Sequence, residues 1–241
     1  MKVDWAYLTH RGDREKNQDA FTYLEEEGRH LFVLADGLGG HKKGEEASRF
    51  VCDFIRKNIS KMEDNKIESL EALTKLANRA LVEYQIQMDL REDIKTTILT
   101  LLLTEEVFMY VSVGDTRLYQ LSNKHIVFQS KDHSLCQRLV DIDELDYKDI
   151  RHNSDRNKLY SVLGNKAEIT YMNSGYLKKI PSAFLLCTDG LWEHVIEGEI
   201  EVDLFKSQTP KEWLDLLVKR AFCNATLYMD NITAITIFIK D

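Results

Sequence analysis

Hydrophobic positions along the chain follow two periods, and the switches between them mark the elements. Short runs of strand character cover residues 3–9, 19–24 and 30–35. The period then lengthens. Ala47, Phe50, Val51, Phe54, Ile55, Ile59 and Met62 fall at helical spacing, as do Leu70, Leu73, Ala77, Ala80, Leu81, Tyr84 and Met88. Each stretch has one apolar stripe and a charged back, which predicts two helices on the outside of a sheet. Strand character returns at 97–104, 107–113, 117–121 and 125–128, and again at 168–175, 183–188 and 232–239. Phe184-Leu185-Leu186-Cys187 and residues 232–239 are nearly continuous apolar runs, expected for strands covered on both faces. A late helix starts at Thr209-Pro210-Lys211-Glu212, a capping box with proline at the first helical position, ahead of the stripe Trp213, Leu214, Leu217, Val218 and Ala221. Helices arranged in pairs between runs of strands predict stacked sheets with helices outside, rather than alternating βαβ units. The stretch 132–158 is polar and irregular and reads as an insertion or flap.

Composition narrows the class. The 241 residues are 44% hydrophobic and 30% charged, ordinary for a globular chain and enough for one domain with its own core. No repeat, low-complexity tract or linker divides it. The formal net charge of −8 makes a poor non-specific binder of nucleic acid or anionic membrane. No run approaches the ~20 apolar residues of a spanning helix, and the N-terminus lacks the apolar stretch of a signal peptide. Cys52, Cys136, Cys187 and Cys223 form no Cys-x-x-Cys pair and are expected to be buried, reduced thiols. The expected setting is the cytoplasm.

The candidate chemistry is a recurring aspartate at the end of an apolar strand. Residues 31–35 run into Asp36-Gly37, residues 184–188 into Asp189-Gly190, and residues 110–114 into Asp115-Thr116, while Asp230-Asn231 opens the last strand. A lone Asp-Gly is usually only a turn. Four such aspartates would converge if the strand ends share one edge, and converged carboxylates repel unless cations lie among them. Oxygen-only ligands suit Mg²⁺ or Mn²⁺ better than zinc. The glycine-rich loop Gly39-Gly40-His41-Lys42-Lys43-Gly44 continues with Glu45-Glu46 where a P-loop needs Lys and Ser/Thr, so it is no nucleotide cradle. Its glycines suit a close passage of backbone past a metal. In Arg11-Gly12-Asp13-Arg14-Glu15-Lys16-Asn17-Gln18-Asp19, an arginine beside an acidic site offers a planar fork to a phosphate dianion, though the stretch also reads as a solvated turn.

Taken in order, these motifs resemble those of the metal-dependent PPM (type 2C) serine/threonine phosphatases, in their bacterial branch. The resemblance rests on residues 14–19, residues 35–41, Thr96-Thr97 with residues 113–117, Asp132-His133-Ser134-Leu135, residues 186–192 and residues 230–233. It implies an α+β fold, a four-layer αββα sandwich of two antiparallel sheets flanked by helices. One catalytic domain would cover 1–241, with a flap at about 132–164; the charge of that segment and its place after the Asp115 hairpin suggest that it gates access for folded phosphoproteins, with an inert surface loop as the alternative.

The implied reaction is hydrolysis of phosphoserine and phosphothreonine in proteins by a metal-activated water at a two-metal centre. The implied cofactors are two Mn²⁺ or Mg²⁺ ions and a weaker third. Asp36 would bridge the two metals, with the Gly37 carbonyl, Asp189 and Asp230 as further ligands and Asp19 acting nearby. Asp115, with Asp189, would hold the third ion, and Arg14 would grip the substrate phosphate. Asp36, Asp189 and Arg14 form the implied catalytic set. The implied partners are phosphoproteins made by a serine/threonine kinase, with no nucleic acid, no membrane and a monomeric state.

Two residues depart from the family pattern. Gln18 replaces a common Glu, which removes one carboxylate from the metals' surroundings. Leu38 stands where eukaryotic members carry a histidine proposed as general acid, leaving water, His41 or His133 as proton donors; a structural role is open for both histidines. A catalytically silent binding module of the same fold and a metal-dependent nuclease are the competing readings. The complete aspartate set disfavours the first, and the acidic charge disfavours the second.

Overall fold

The computed structural model describes residues 1–38, 43–62, 64–90, 94–226 and 228–240. The chain divides into two compact units, each built from non-contiguous pieces.

The first unit comprises residues 1–17, 117–130 and 179–241. Its strands are β1 (Lys2–His10), β6 (Arg117–Ser122), β7 (His125–Gln129), β9 (Ala183–Cys187) and β10 (Ile232–Lys240). They form one antiparallel sheet in the order β1-β10-β9-β6-β7. Its helices are α4 (Asp189–Trp192), α5 (Glu197–Lys206) and α6 (Pro210–Asn224). The predicted cap opens α6: the Thr209 hydroxyl accepts the Glu212 N–H at 3.2 Å. The Glu212 carboxylate reaches one residue further back than a capping box requires, to the Gln208 N–H at 2.8 Å. The stripe Trp213, Leu214, Leu217 and Ala221 is buried, and the Trp213 ring lies 6.0 Å from that of Phe238 on β10.

The second unit comprises residues 18–116 and 131–178. Its strands are β2 (Asp19–Glu26), β3 (Arg29–Asp36), β4 (Ile98–Leu103), β5 (Phe108–Val113) and β8 (Asn173–Leu177). They form an antiparallel sheet in chain order. Its helices are α1 (Gly44–Asn58), α2 (Ile67–Gln87) and α3 (Leu135–Asp141). The two predicted stripes pack as expected: Ala47, Val51, Ile55, Leu70, Ala77 and Leu81 share a core with Leu31, Val33, Met109 and Val111 of the sheet. Glu45 and Glu46 in the first turn of α1, and Arg56 and Lys57 in its last, complement the helix dipole. Two antiparallel sheets flanked by helices agree with the sheets and outer helices expected from the pattern and are the α+β class that the resemblance implies.

Four expectations need correction. The strand placed at 168–175 forms later, at Asn173–Leu177, although residues 168–171 alternate: its extent is set by pairing with β5, which runs from Ser112 opposite Asn173 to Phe108 opposite Leu177. Helix α5 was not expected: its apolar Val202 and Phe205 face solvent, while Asp203 is buried against Arg220. Cys223 is exposed, and the other three cysteines are buried. The flap is more firmly packed than its charge suggests, since Cys136, Ile150, Arg151 and Leu163 are all buried. Among the described residues, no helix is long and apolar enough to cross a membrane.

Candidate functional site

In the first unit, the antiparallel register brings three turns to one end of the sheet. His10 pairs with Ile232 at the end of β1, and Ala234 pairs with Cys187 at the end of β9. The segments 11–17, 188–190 and 229–231 therefore meet. Their backbones are stitched together: the Asp13 N–H donates to the Met229 carbonyl at 2.9 Å, and the Met229 N–H donates to Asp13 Oδ2 at 2.8 Å. Asn231 Nδ2 donates to the carbonyls of Arg11 (2.8 Å) and Lys16 (2.9 Å). The Thr188 N–H donates to the Thr233 carbonyl, and the Thr233 N–H donates to the Thr188 hydroxyl, both at 3.0 Å. Sequence reading assigned no role to Asp13 or Asn231. The local signal for Asn231 is its place in the 230–233 motif, between Asp230 and a strand.

On this frame the Arg14 fork closes on Asp230. Nε donates to Oδ1 at 2.7 Å and Nη2 donates to Oδ2 at 2.5 Å. The hydrogen bond and charge of Asp230, with a smaller contribution from Asp189, raise the Arg14 pKa against the opposing effect of burial, so the side chain is cationic at any working pH. The guanidinium carbon also lies 5.5 Å from the Tyr228 ring centroid. Arg14, Asp189 and Asp230 are thus neighbours, and the Arg14 fork is engaged by a carboxylate, the group whose geometry most resembles one edge of a phosphate.

In the second unit, Asp19 opens β2 and Asp36 closes β3, and the two are directly opposite across the ladder. Asp115 follows β5 at the same end of the sheet and is buried. Directly opposed like charges on neighbouring strands are destabilising. Gly37 forms an isolated bridge with Thr96, and its N–H donates to the Gln18 carbonyl at 3.1 Å. A Cβ on Gly37 would run into the backbone of Gly44, so the glycines at the two ends of this loop permit a close backbone approach. Residues 39–42, and with them the candidate proton donor His41, lie outside the described residues.

Gln18 sits beside this turn, with Nε2 3.4 Å from Glu45 Oε2. His133 takes a structural role: it is almost fully buried, its ring Nδ1 accepts the Gly114 N–H at 3.0 Å, and its backbone N–H donates to the Gly114 carbonyl at 2.8 Å. Burial pushes its imidazole pKa down, against the Asp132 charge, which pulls it up. The accepting Nδ1 requires a neutral ring with its proton on Nε2.

Among the described residues, no group of three or more His, Cys, Asp or Glu side chains is arranged to enclose a metal ion. The donor sets nevertheless fit hard divalent cations in kind. Within each unit the candidate side-chain ligands are carboxylates, two of which face each other across β2 and β3, and neither set contains a thiolate or imidazole that would favour zinc.

A family model described as protein phosphatase 2C matches residues 8–221. The chain is 29% identical over 240 residues to serine/threonine phosphatase stp of Listeria monocytogenes serovar 1/2a, covering 96% of this chain and 94% of the relative. The crystal structure of serine/threonine phosphatase Stp1 from Staphylococcus aureus superimposes with a TM-score of 0.88 at 28% identity, covering 100% of this chain and 96% of the other. The catalytic domain of serine threonine protein phosphatase PstP, in complex with 2 manganese ions, shares the fold with a TM-score of 0.79 at 24% identity, covering 99% of each chain.

Proposed function

The chain belongs to the protein phosphatase 2C family and is a protein phosphatase, and from that premise we propose that it hydrolyses phosphoserine and phosphothreonine in proteins at a two-cation centre. Asp19, Asp36, the Gly37 carbonyl, Asp189 and Asp230 would hold two Mn²⁺ or Mg²⁺ ions, and Asp115 with Asp189 a weaker third. The observation that carries the reading is the direct register of Asp19 and Asp36 across β2 and β3, a juxtaposition of charge that a cation relieves. Bound cations supply a nucleophilic water near neutral pH and stabilise charge on the attacking and leaving oxygens.

The chain's own groups do the rest. Arg14 is held in place by the stitched 11–17 and 229–231 segments, and on release from Asp230 its fork would offer two parallel N–H donors to the phosphate oxygens. The Asn231 amide holds the Arg14 loop by its Arg11 and Lys16 carbonyls, so the fork does not have to be ordered when substrate arrives. Leu38 carries no proton to give, and the His133 ring is engaged with Gly114. The leaving serine or threonine oxygen would therefore take its proton from water or from His41.

The test is hydrolysis of a phosphothreonine peptide by chelator-stripped protein. Activity should be absent in chelator and return with Mn²⁺ or Mg²⁺. Asp36→Asn and Asp189→Asn should each lower kcat by at least ~100-fold, as loss of a charge from a preorganised site does. Full turnover in excess chelator, with metal removal confirmed, would end the cation-based reading.

A further inference from the structure

Thr97 lies just ahead of β4, fully buried, and the proposed chemistry makes no use of it. Its Oγ1 accepts the Asp36 N–H at 2.9 Å and lies 2.6 Å from Thr116 Oγ1, also buried. Its N–H donates to the Asp36 carbonyl at 2.9 Å, and that carbonyl also accepts the Thr96 hydroxyl at 2.8 Å. Its methyl group packs on Gly114, where an added Cβ would stand 2.5 Å from Thr97 Cγ2 and where φ is +108°. A hydroxyl that accepts from Asp36 keeps its own proton and a second lone pair for Thr116, so amide and hydroxyls form one unbroken chain from Asp36 to Thr116. Asp115 sits between the two residues, Gly114 and Thr116, that Thr97 touches. One side chain therefore spans from the end of β3 to the β5–β6 turn.

We infer that Thr97 is the positioning residue that fixes Asp36 and Asp115 relative to each other, and that its hydroxyl, rather than its bulk, sets the affinity of this end of the sheet for a divalent cation. The inference rests on the proposed role of Asp36 and Asp115 as cation ligands. Removing the hydroxyl leaves the Asp36 N–H and the Thr116 hydroxyl buried without their partner, and the Asp36 turn relaxes to satisfy them. Removing the methyl leaves the hydrogen-bond chain whole and loosens only the packing on Gly114.

Calorimetric titration of the chelator-stripped full chain with Mn²⁺ alone separates these effects, alongside thermal unfolding of the same variants. Thr97→Val keeps the shape and loses the hydroxyl, and should weaken Mn²⁺ binding by roughly 10-fold or more, the usual cost of losing a group that orients a ligand. Thr97→Ser keeps the hydroxyl and should bind Mn²⁺ like the parent while unfolding at a lower temperature. Wild-type affinity in Thr97→Val would overturn the inference, as would equal weakening in both variants, which would assign the effect to packing. Should Thr97→Val fail to fold, Thr116→Val decides: it cuts the chain one link further on and should weaken Mn²⁺, and unchanged affinity there overturns the inference. Asp36→Asn tests the underlying ligand assignment by itself. Parental Mn²⁺ affinity in that variant would remove the assignment, whatever Thr97 does.

Discussion

Arg14 holds Asp230 with both N–H groups of its fork, and the proposed function asks Asp230 to bind a cation and Arg14 to bind phosphate. The two roles compete with the pairing seen here. Arg14→Ala should therefore tighten Mn²⁺ binding while raising KM for a phosphopeptide. Hydrogen bonds to charged groups contribute about 1.5–3 kcal/mol when protected, and exposed ion pairs about 0–1 kcal/mol. The two side chains are 38% and 27% exposed, which places the pair between those limits. Solvent screening then leaves about 1–2 kcal/mol, and at about 1.4 kcal/mol per decade the Mn²⁺ dissociation constant should fall about 5- to 30-fold.

Two controls separate the fork from simple loss of positive charge. Arg11→Ala removes the same charge from an exposed position in the same loop and should leave Mn²⁺ binding nearly unchanged. Arg14→Lys keeps the charge but cannot offer two parallel donors, and should give an intermediate affinity. The assay is calorimetric titration of chelator-stripped protein, paired with steady-state kinetics at saturating Mn²⁺. Unchanged or weaker Mn²⁺ binding in Arg14→Ala would refute the argument, as would an effect of equal size in Arg11→Ala.

Gln18→Glu would place a second carboxylate beside Glu45, about where Nε2 now stands 3.4 Å away. Without metal, thermal unfolding should move down by about 2–4 °C per kcal/mol of repulsion, and half-maximal activity should need less Mn²⁺; an unchanged Mn²⁺ requirement would place Gln18 outside the cation's surroundings. His133 titrates below its ordinary value in the folded chain, so the unfolded chain takes up its proton first as pH falls. Its contribution to stability is complete above about pH 6.5 and is lost as pH drops through the interval between the unfolded and folded values. Urea midpoints should therefore fall on acidification, less steeply in His133→Asn. His30, lowered chiefly by its own burial, keeps a residual slope of the same sign. An identical slope in the variant would free His133 of this role.

Where a single stripe carries the burial, as in α1, α2 and α6, the period of the sequence already contains the helix, because local periodicity and the buried face coincide. The strand-end aspartates were legible for a similar reason: an apolar run broken by Asp-Gly is a local event. Helix α5 was not, because its burial rests on Ile200, Leu204 and an Asp203–Arg220 pair while Val202 and Phe205 face water. That pattern exists only once α6 supplies the arginine. The sequence by itself determined which residues would be charged at the strand ends and, through their order along the chain, the family. Only the tertiary structure decided that Asp19 faces Asp36 through the register of β2 and β3. It also decided that Arg14 closes on Asp230, 216 residues away, and that Thr97 ties Asp36 to the turn around Asp115. Pairings of this kind depend on ladder register and on contacts between segments far apart in the chain, and neither is encoded in the spacing of any one motif.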